Sequence, residues 1–181
     1  TGDMTVLQAP LTKLGCFSTT HATLFHAIGA LDKVSLVTTD KDKWHIEQVA
    51  QQIEDGTTTY VGKNSAPDYE LISAAAPQII LISANTMHGS DEVLAKLDEL
   101  SIPYIADSQH LENHPLGRVE WVKLVGALLD MEEEADAYFD EEVQRVNAVA
   151  ESVAGESEHP TILQTYIFKG TVYVRNGGDY V

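Results

Sequence analysis

The sequence predicts an α/β protein: a parallel-sheet lobe with flanking helices, then a long helix and the first strands of something further. Three observations carry this. Ile79–Ser83 is a nearly pure apolar run of strand length, the mark of a strand buried on both faces. Short apolar or β-branched runs alternate with segments of helical spacing over residues 6–106, which requires parallel strands joined by right-handed crossovers. From Arg118 to about Val153 the apolar spacing turns helical and stays so.

Val6–Ala9 and Leu14–Phe17 read as strands, and Ser18-Thr19-Thr20-His21 as the turn that caps a helix through Leu24, Ile28 and Leu31. Val34–Thr38 is a β-branched strand. Trp44–Glu54 has helical spacing at Trp44, Val49 and Ile53 and stops at Gly56, as a helix C-terminus does. Pro67-Asp68 leads into a short helix over Tyr69–Ala75. Glu92–Leu100 is a further helix, and Tyr104–Ala106 a further strand. Val122, Val125, Leu129, Ala135, Phe139, Val143, Val146 and Val153 suggest one helix over 118–153, some 50 Å long at about 1.5 Å per residue. Beyond Gly155, Thr161–Phe168 and Thr171–Val174 read as a hairpin turning at Lys169-Gly170.

A chain of 181 residues suffices for one domain, or for one and part of a second. With 28 acidic and 11 basic residues its net charge is −17, and no cluster of Lys and Arg could track a phosphate backbone, so nucleic acid is excluded as a partner. Cys16 is the one cysteine and sits in an apolar run, so it reads as a small buried hydrophobe. No apolar run reaches the roughly 18 residues of a membrane span. The opening TGDMTV looks like a cut point, and NGGDYV falls just after a strand has begun, so the sequence reads as a fragment.

In a parallel sheet, ligands sit beyond the carboxyl ends of the strands. Those ends are Ser18–His21, Thr38–Asp42, Ser83–His88 and Asp107–Glu112, mostly rich in Ser, Thr, Asn and His. Ser18, His21 and Asp107 offer the residue types of a nucleophile relay, but no Gly-x-Ser-x-Gly elbow holds a serine. His21, His88, His110 and Asp107 offer the ligand types that zinc or manganese accepts, without short-range spacing to support it. Gly62-Lys63-Asn64 lacks either nucleotide fingerprint and is a polar turn at the sheet edge. Glu120 suits the positive end of a helix, whereas Arg118 there suggests service to another anion.

Several segments resemble the substrate-binding proteins of iron–siderophore, haem and vitamin B12 ABC transporters. Ser18 to Leu24 followed by Ala27 to Val34 is similar to that family's first strand–helix–strand entry. Thr59-Tyr60-Val61-Gly62 leading to Pro67-Asp68-Tyr69-Glu70-Leu71-Ile72 resembles its G…PN-x-E-x-I segment, with Asp68 where Asn is usual. Ala76-Pro77-Gln78-Ile79-Ile80-Leu81 resembles the strand that follows, and Ser101 to Tyr104 and Pro115 to Lys123 complete the match over residues 14–150.

The resemblance implies a Rossmann-like N-terminal lobe at 1–117, a rigid spine at 118–153, and an incomplete second lobe from 154 to 181. It implies a binding protein rather than an enzyme, with no resident cofactor: a receptor that captures a ferric-siderophore-type complex and hands it to a membrane permease. Haem, cobalamin, or bare zinc or manganese are the alternative ligands, and a metal-dependent α/β enzyme the alternative class. Ligand-facing residues would be Thr20, His21, Asn64, Asn85, Met87, His88 and Arg118, with Met87 and His88 equally able to ligate haem iron. Glu70 would pair with arginines of the permease. The location would be periplasmic or extracellular, with a lipid anchor as an option. A homodimer of this chain, built on apolar surface left by the spine and the orphan strands, is a further expectation.

Overall fold

The computed structural model describes residues 6–84, 90–158 and 160–174. Its centre is a five-stranded parallel sheet of β1 (Leu14–Cys16), β2 (Val34–Val37), β3 (Thr59–Tyr60), β6 (Ile79–Ser83) and β7 (Tyr104–Asp107), in the order β3-β2-β1-β6-β7. β4 (Gly62–Lys63) and β5 (Ala66–Pro67) form a small antiparallel hairpin after β3. The helices are α1 (Thr19–Ala27), α2 (Glu47–Glu54), α3 (Tyr69–Ala75), α4 (Ser90–Glu99), α5 (Pro115–Glu120), α6 (Val122–Leu129) and α7 (Glu132–Val153). The hairpin β8 (Thr165–Phe168) and β9 (Thr171–Val174) follows.

Alternation along the central strands divides the core in two. Leu14, Cys16, Ile79 and Leu81 face one layer, with Phe25 of α1, Val49 of α2, Val122, Val125 and Leu129 of α6, and Ala135 of α7. Ile80, Ile82 and Leu36 face the other, with Ile72 of α3 and Val93 and Leu97 of α4. Both faces of the sheet are thus covered, which is why Ile79–Ser83 is apolar throughout. β1 is crowded from both sides. A Cβ on Gly15 would lie 2.8 Å from Leu36 Cδ1 and 3.0 Å from Ile80 Cγ1, so glycine is what lets the neighbouring side chains close over the strand.

Two expected elements differ. Val6–Ala9 forms no strand: Val6 is exposed, no described strand pairs with the segment, Leu7 packs only partly buried against the core, and the first fully buried residue is Leu11. The single helix expected over 118–153 is three helices. Trp121 separates α5 from α6, and Asp130 stops α6 in the left-handed conformation at φ 60°, with the Met131 N–H returning to Gly126 O at 2.9 Å. Glu132, Glu133 and Glu134 then fill the first turn of α7, where carboxylates meet the positive helix end. The reversal brings α7 back onto α6, so that the sheet's core runs on to Ala135, with Tyr138 and Phe139 packed against it. The unbroken helical stretch is 22 residues, about 33 Å rather than 50 Å.

Candidate functional site

Parallel topology brings the strand carboxyl ends to one edge of the sheet. Cys16 of β1 pairs with Val37 of β2 and Leu81 of β6, and Ser83 of β6 with Asp107 of β7, so the segments following these strands leave side by side. Each is fixed by local polar contacts. Ser18 caps α1 by accepting the His21 backbone N–H at 3.2 Å. The Thr38 hydroxyl, buried, donates to Phe17 O at 2.9 Å and ties the end of β2 to that of β1.

Below this edge lies a buried ion-pairing contact. His21, 1% exposed, meets Asp107, 3% exposed, through Nε2 and Oδ2. Asp107 also accepts the Gln109 N–H at 3.3 Å. Burial pushes the Asp107 carboxyl up, but hydrogen bonds from His21 and Gln109 and the charge of His21 outweigh it, and its pKa lies below the ordinary carboxylate value. The pair clamps the first turn of α1 to the tip of β7. His21 was expected to present a ligand-binding group; its ring is instead turned inward and its Nε2 is engaged by Asp107. Its Nδ1 is buried, with no hydrogen-bond partner among the described residues.

Thr20, one residue earlier, is exposed and lines a cavity of about 380 Å³. Thr19, Thr20 and Thr23 of α1 form one side, and Lys43, Trp44, His45 and Ile46 of the segment between β2 and α2 the other. The segment is held from within. Asp40 caps a 3₁₀ turn at Lys41–Lys43, and the Trp44 indole N–H donates to Thr39 O at 3.0 Å. Trp44 therefore does not begin α2, as its spacing suggested, but stands as a half-buried wall before it. Lys43, Trp44 and His45, which line this cavity, were not among the expected site residues. The available signal was an aromatic residue between two bases at the carboxyl end of a strand.

Asn64 is exposed at the tip of the β4–β5 hairpin beyond β3. Arg118 is exposed near the end of α5 and donates from Nη2 to His110 O at 3.3 Å. Trp121 Nε1 donates to Glu112 Oε1 at 3.1 Å, beside a cavity of about 310 Å³ bounded by Glu112, Gly117, Glu120, Trp121 and Leu124. Asn85, Met87 and His88 lie outside the described residues. A larger cavity of about 470 Å³ at Asp98 and Ser101–Tyr104 sits at the opposite, amino-terminal end of β7. Glu70 is exposed in the first turn of α3, whose N-terminus Asp68 caps by accepting from Glu70 N at 2.9 Å and Leu71 N at 3.1 Å, as the more usual Asn would.

The other chemistries fare as follows. Ser18 is occupied as a helix cap, with no contact to the His21 ring among the described residues. No group of three or more His, Cys, Asp or Glu side chains among the described residues is placed to hold a metal ion. Burial pushes the Cys16 thiol well up, so it stays protonated and inert.

The family model described as "Periplasmic binding protein" matches residues 16–181. The chain belongs to the periplasmic binding protein family. An uncharacterized lipoprotein of Methanocaldococcus jannaschii is 34% identical over 75% of this chain and 33% of its own length. Solved structures share the fold at low identity. A possible iron-binding periplasmic solute-binding protein from Staphylococcus epidermidis matches with a TM-score of 0.69 at 16% identity, over 93% of this chain and 61% of its own. A petrobactin-binding protein from Bacillus subtilis matches at 0.70 and 15%, over 92% and 55%. A periplasmic haem-binding protein of Vibrio cholerae matches at 0.68 and 17%, over 90% and 58%. The chain thus spans a third of the curated relative's length and about six-tenths of the lengths of these solved structures. No helix among its described residues is long and apolar enough to cross a membrane.

Proposed function

We propose that the chain is the ligand-capturing part of a solute receptor for an ABC importer, that it binds without bond chemistry, and that its ligand is an iron complex of the ferric-siderophore type. The family match over residues 16–181 carries the reading. The strand-end edge supports it, since rigid polar turns there surround an open cavity rather than an assembled catalytic group. Petrobactin-binding and haem-binding proteins both stand among the structural relatives, so haem is the second reading for the ligand.

In this reading the sheet and its helices, through α6 and the start of α7, form one wall of a cleft, and α7 with the β8–β9 hairpin leads to a second lobe. The apolar side chains that the hairpin leaves in water, Ile167 at 74% and Val172 at 60% exposed among them, favour such a lobe as their cover over a second copy of this chain. Thr20, Asn64 and Arg118 are the described residues that would face the cleft. Glu70, exposed and fixed at a capped helix start, would meet a basic patch of the permease. A lipoprotein relative favours a site of action outside the cytoplasmic membrane, anchored by lipid.

The test is titration of tryptophan fluorescence, in a receptor of the relatives' full length, with ferric siderophores, haemin, cobalamin, and free zinc and manganese. Saturable binding of a ferric siderophore supports the proposal. Saturation by the bare divalent ions alone would overturn it.

A further inference from the structure

The receptor reading leaves the chemistry of the ligand open, and the cavity beside Thr20 narrows it. We propose that this cavity is a subsite for a carboxylate arm of the captured complex, with Lys43 and His45 meeting the anion and Trp44 walling its hydrocarbon side. The inference rests on the receptor reading and adds the class of ligand.

In a chain of net charge −17, a local excess of base is the exception. The cavities at Tyr104 and at Trp121 are lined by carboxylates, Asp98 in the one and Glu112 and Glu120 in the other, with no base among the described residues of either lining. The cavity at Thr20 reverses this: Lys43 and His45 line it, and no carboxylate does among the described residues. Lys33, Lys41, Lys96, Lys123 and Arg145 each have a carboxylate within ion-pairing distance. The Lys43 ammonium has none among the described residues, although Asp40 and Asp42 are close in sequence. Asp40 is turned to cap its own 3₁₀ helix and accepts the Asp42 N–H.

Shape and donors agree. The hydroxyls of Thr19 and Thr20 are not engaged by other described residues, while that of Thr23 is spent on Thr20 O at 2.6 Å. Trp44 is pinned through its N–H, so it offers the cavity an apolar surface rather than a donor. Two bases and two hydroxyls against an indole suit a carboxylate on a short hydrocarbon arm, because hydrogen bonds to an ionised oxygen are stronger than neutral ones. A volume of about 380 Å³ accommodates one arm, with the metal centre left in the open cleft. An uncharged hydroxamate chelate would leave both bases unmatched.

Gallium(III) complexes are diamagnetic and so test this without broadening NMR lines. The sequence has two tryptophans, Trp44 and Trp121, so their indole N–H signals report separately on the cavity and on the start of α6. Gallium(III) citrate, titrated to millimolar concentration into the chain, is expected to shift the Trp44 signal and leave that of Trp121 in place. Lys43→Met, an exposed change, is expected to raise the apparent Kd about 10-fold, the loss of one charge-assisted contact. Lys13→Met leaves it unchanged. Gallium(III) protoporphyrin behaving likewise points to propionates as the source of the carboxylate, and a response to citrate alone points to a polycarboxylate chelate. Equal binding of uncharged gallium(III) ferrichrome, or an unchanged Kd in Lys43→Met, overturns the subsite while the receptor reading stands. No shift at Trp44 with any complex also overturns it, and the full-length titration then decides the receptor reading separately.

Discussion

Removing Asp107 is the sharpest test of how the strand-end edge is held. Asp107 is 3% exposed and His21 1%, so replacing the carboxylate by alanine takes from the buried His21 ring the one partner its Nε2 has among the described residues, and the Gln109 N–H loses an acceptor. Breaking a buried pair from one side costs about 3–5 kcal/mol, whereas an exposed pair costs about 1 or less. Asp107→Ala should therefore lose about 3–5 kcal/mol in urea unfolding at pH 7, followed by far-UV circular dichroism. The double variant Asp107→Ala/His21→Leu should lose less than the sum of the singles, because no polar group remains unmatched. The pH dependence has a definite sign. The carboxyl's folded pKa lies below its ordinary value of 3.8, so the unfolded chain takes up the proton more readily. The pair's contribution is complete above that ordinary value and is lost as pH falls through the folded one, so the gap between the parent chain and Asp107→Ala should narrow in acid. A loss below about 1 kcal/mol at pH 7, or a gap that stays constant into strong acid, would refute the buried clamp.

A Cβ on Gly126 would lie 2.7 Å from Ala135 Cβ and 2.9 Å from Met131 O, so Gly126→Ala overpacks the α6–α7 turn. Overpacking costs about 1–3 kcal/mol and the gain in helix propensity returns about 1, so a net loss of up to about 2 kcal/mol should appear in urea melts. Asp130→Gly, at φ 60°, should stabilise by up to about 1 kcal/mol by relieving the left-handed residue, and a lower unfolding midpoint would contradict that account of the break. Glu70→Arg should cost no more than about 1 kcal/mol, the first-turn charge effect of an exposed side chain while Asp68 keeps the cap, yet should depress permease-dependent uptake in cells; unimpaired uptake would remove Glu70 from the docking surface.

The sheet was legible because its strands are buried on both faces and leave an unmistakable pattern: β6 has the bounds its apolar run predicts, and β2 and α3 lie within a residue of theirs. β3 is only Thr59–Tyr60, half-buried at the sheet edge, and too short to impose a period. The break at Asp130 was harder to see because no Gly or Pro marks it. Asp can occupy the left-handed region, so the turn costs the sequence no conspicuous residue. Two signs were nevertheless present. From Leu129 a continuing helix needs an apolar residue three or four positions on, and Glu132 and Glu133 stand there. The run Glu132–Glu134 also belongs to the first turn of a new helix rather than the middle of an old one.

The site was legible at the level of loops and not of side chains, and His21 shows why. Topology alone places the turn after β1 at the ligand edge, and Thr20 and His21 are adjacent within it. On a helix, neighbouring residues point about 100° apart, so the two need not share a face: Thr20 is exposed and His21 buried. Which one turns inward is decided by Asp107, 86 residues away, which accepts from the imidazole and makes its burial tolerable. That partner cannot be read from local pattern. Lys43, Trp44 and His45 escaped for the complementary reason: Trp44 fits the apolar spacing of α2, and only its bond to Thr39 O removes it from the helix and sets the two bases beside it on a cavity. A strand-end histidine in such a sheet is thus a weak guide to a ligand until a carboxylate at a neighbouring strand end has been considered as its partner, whereas a base flanking a pinned aromatic has no comparable interior use.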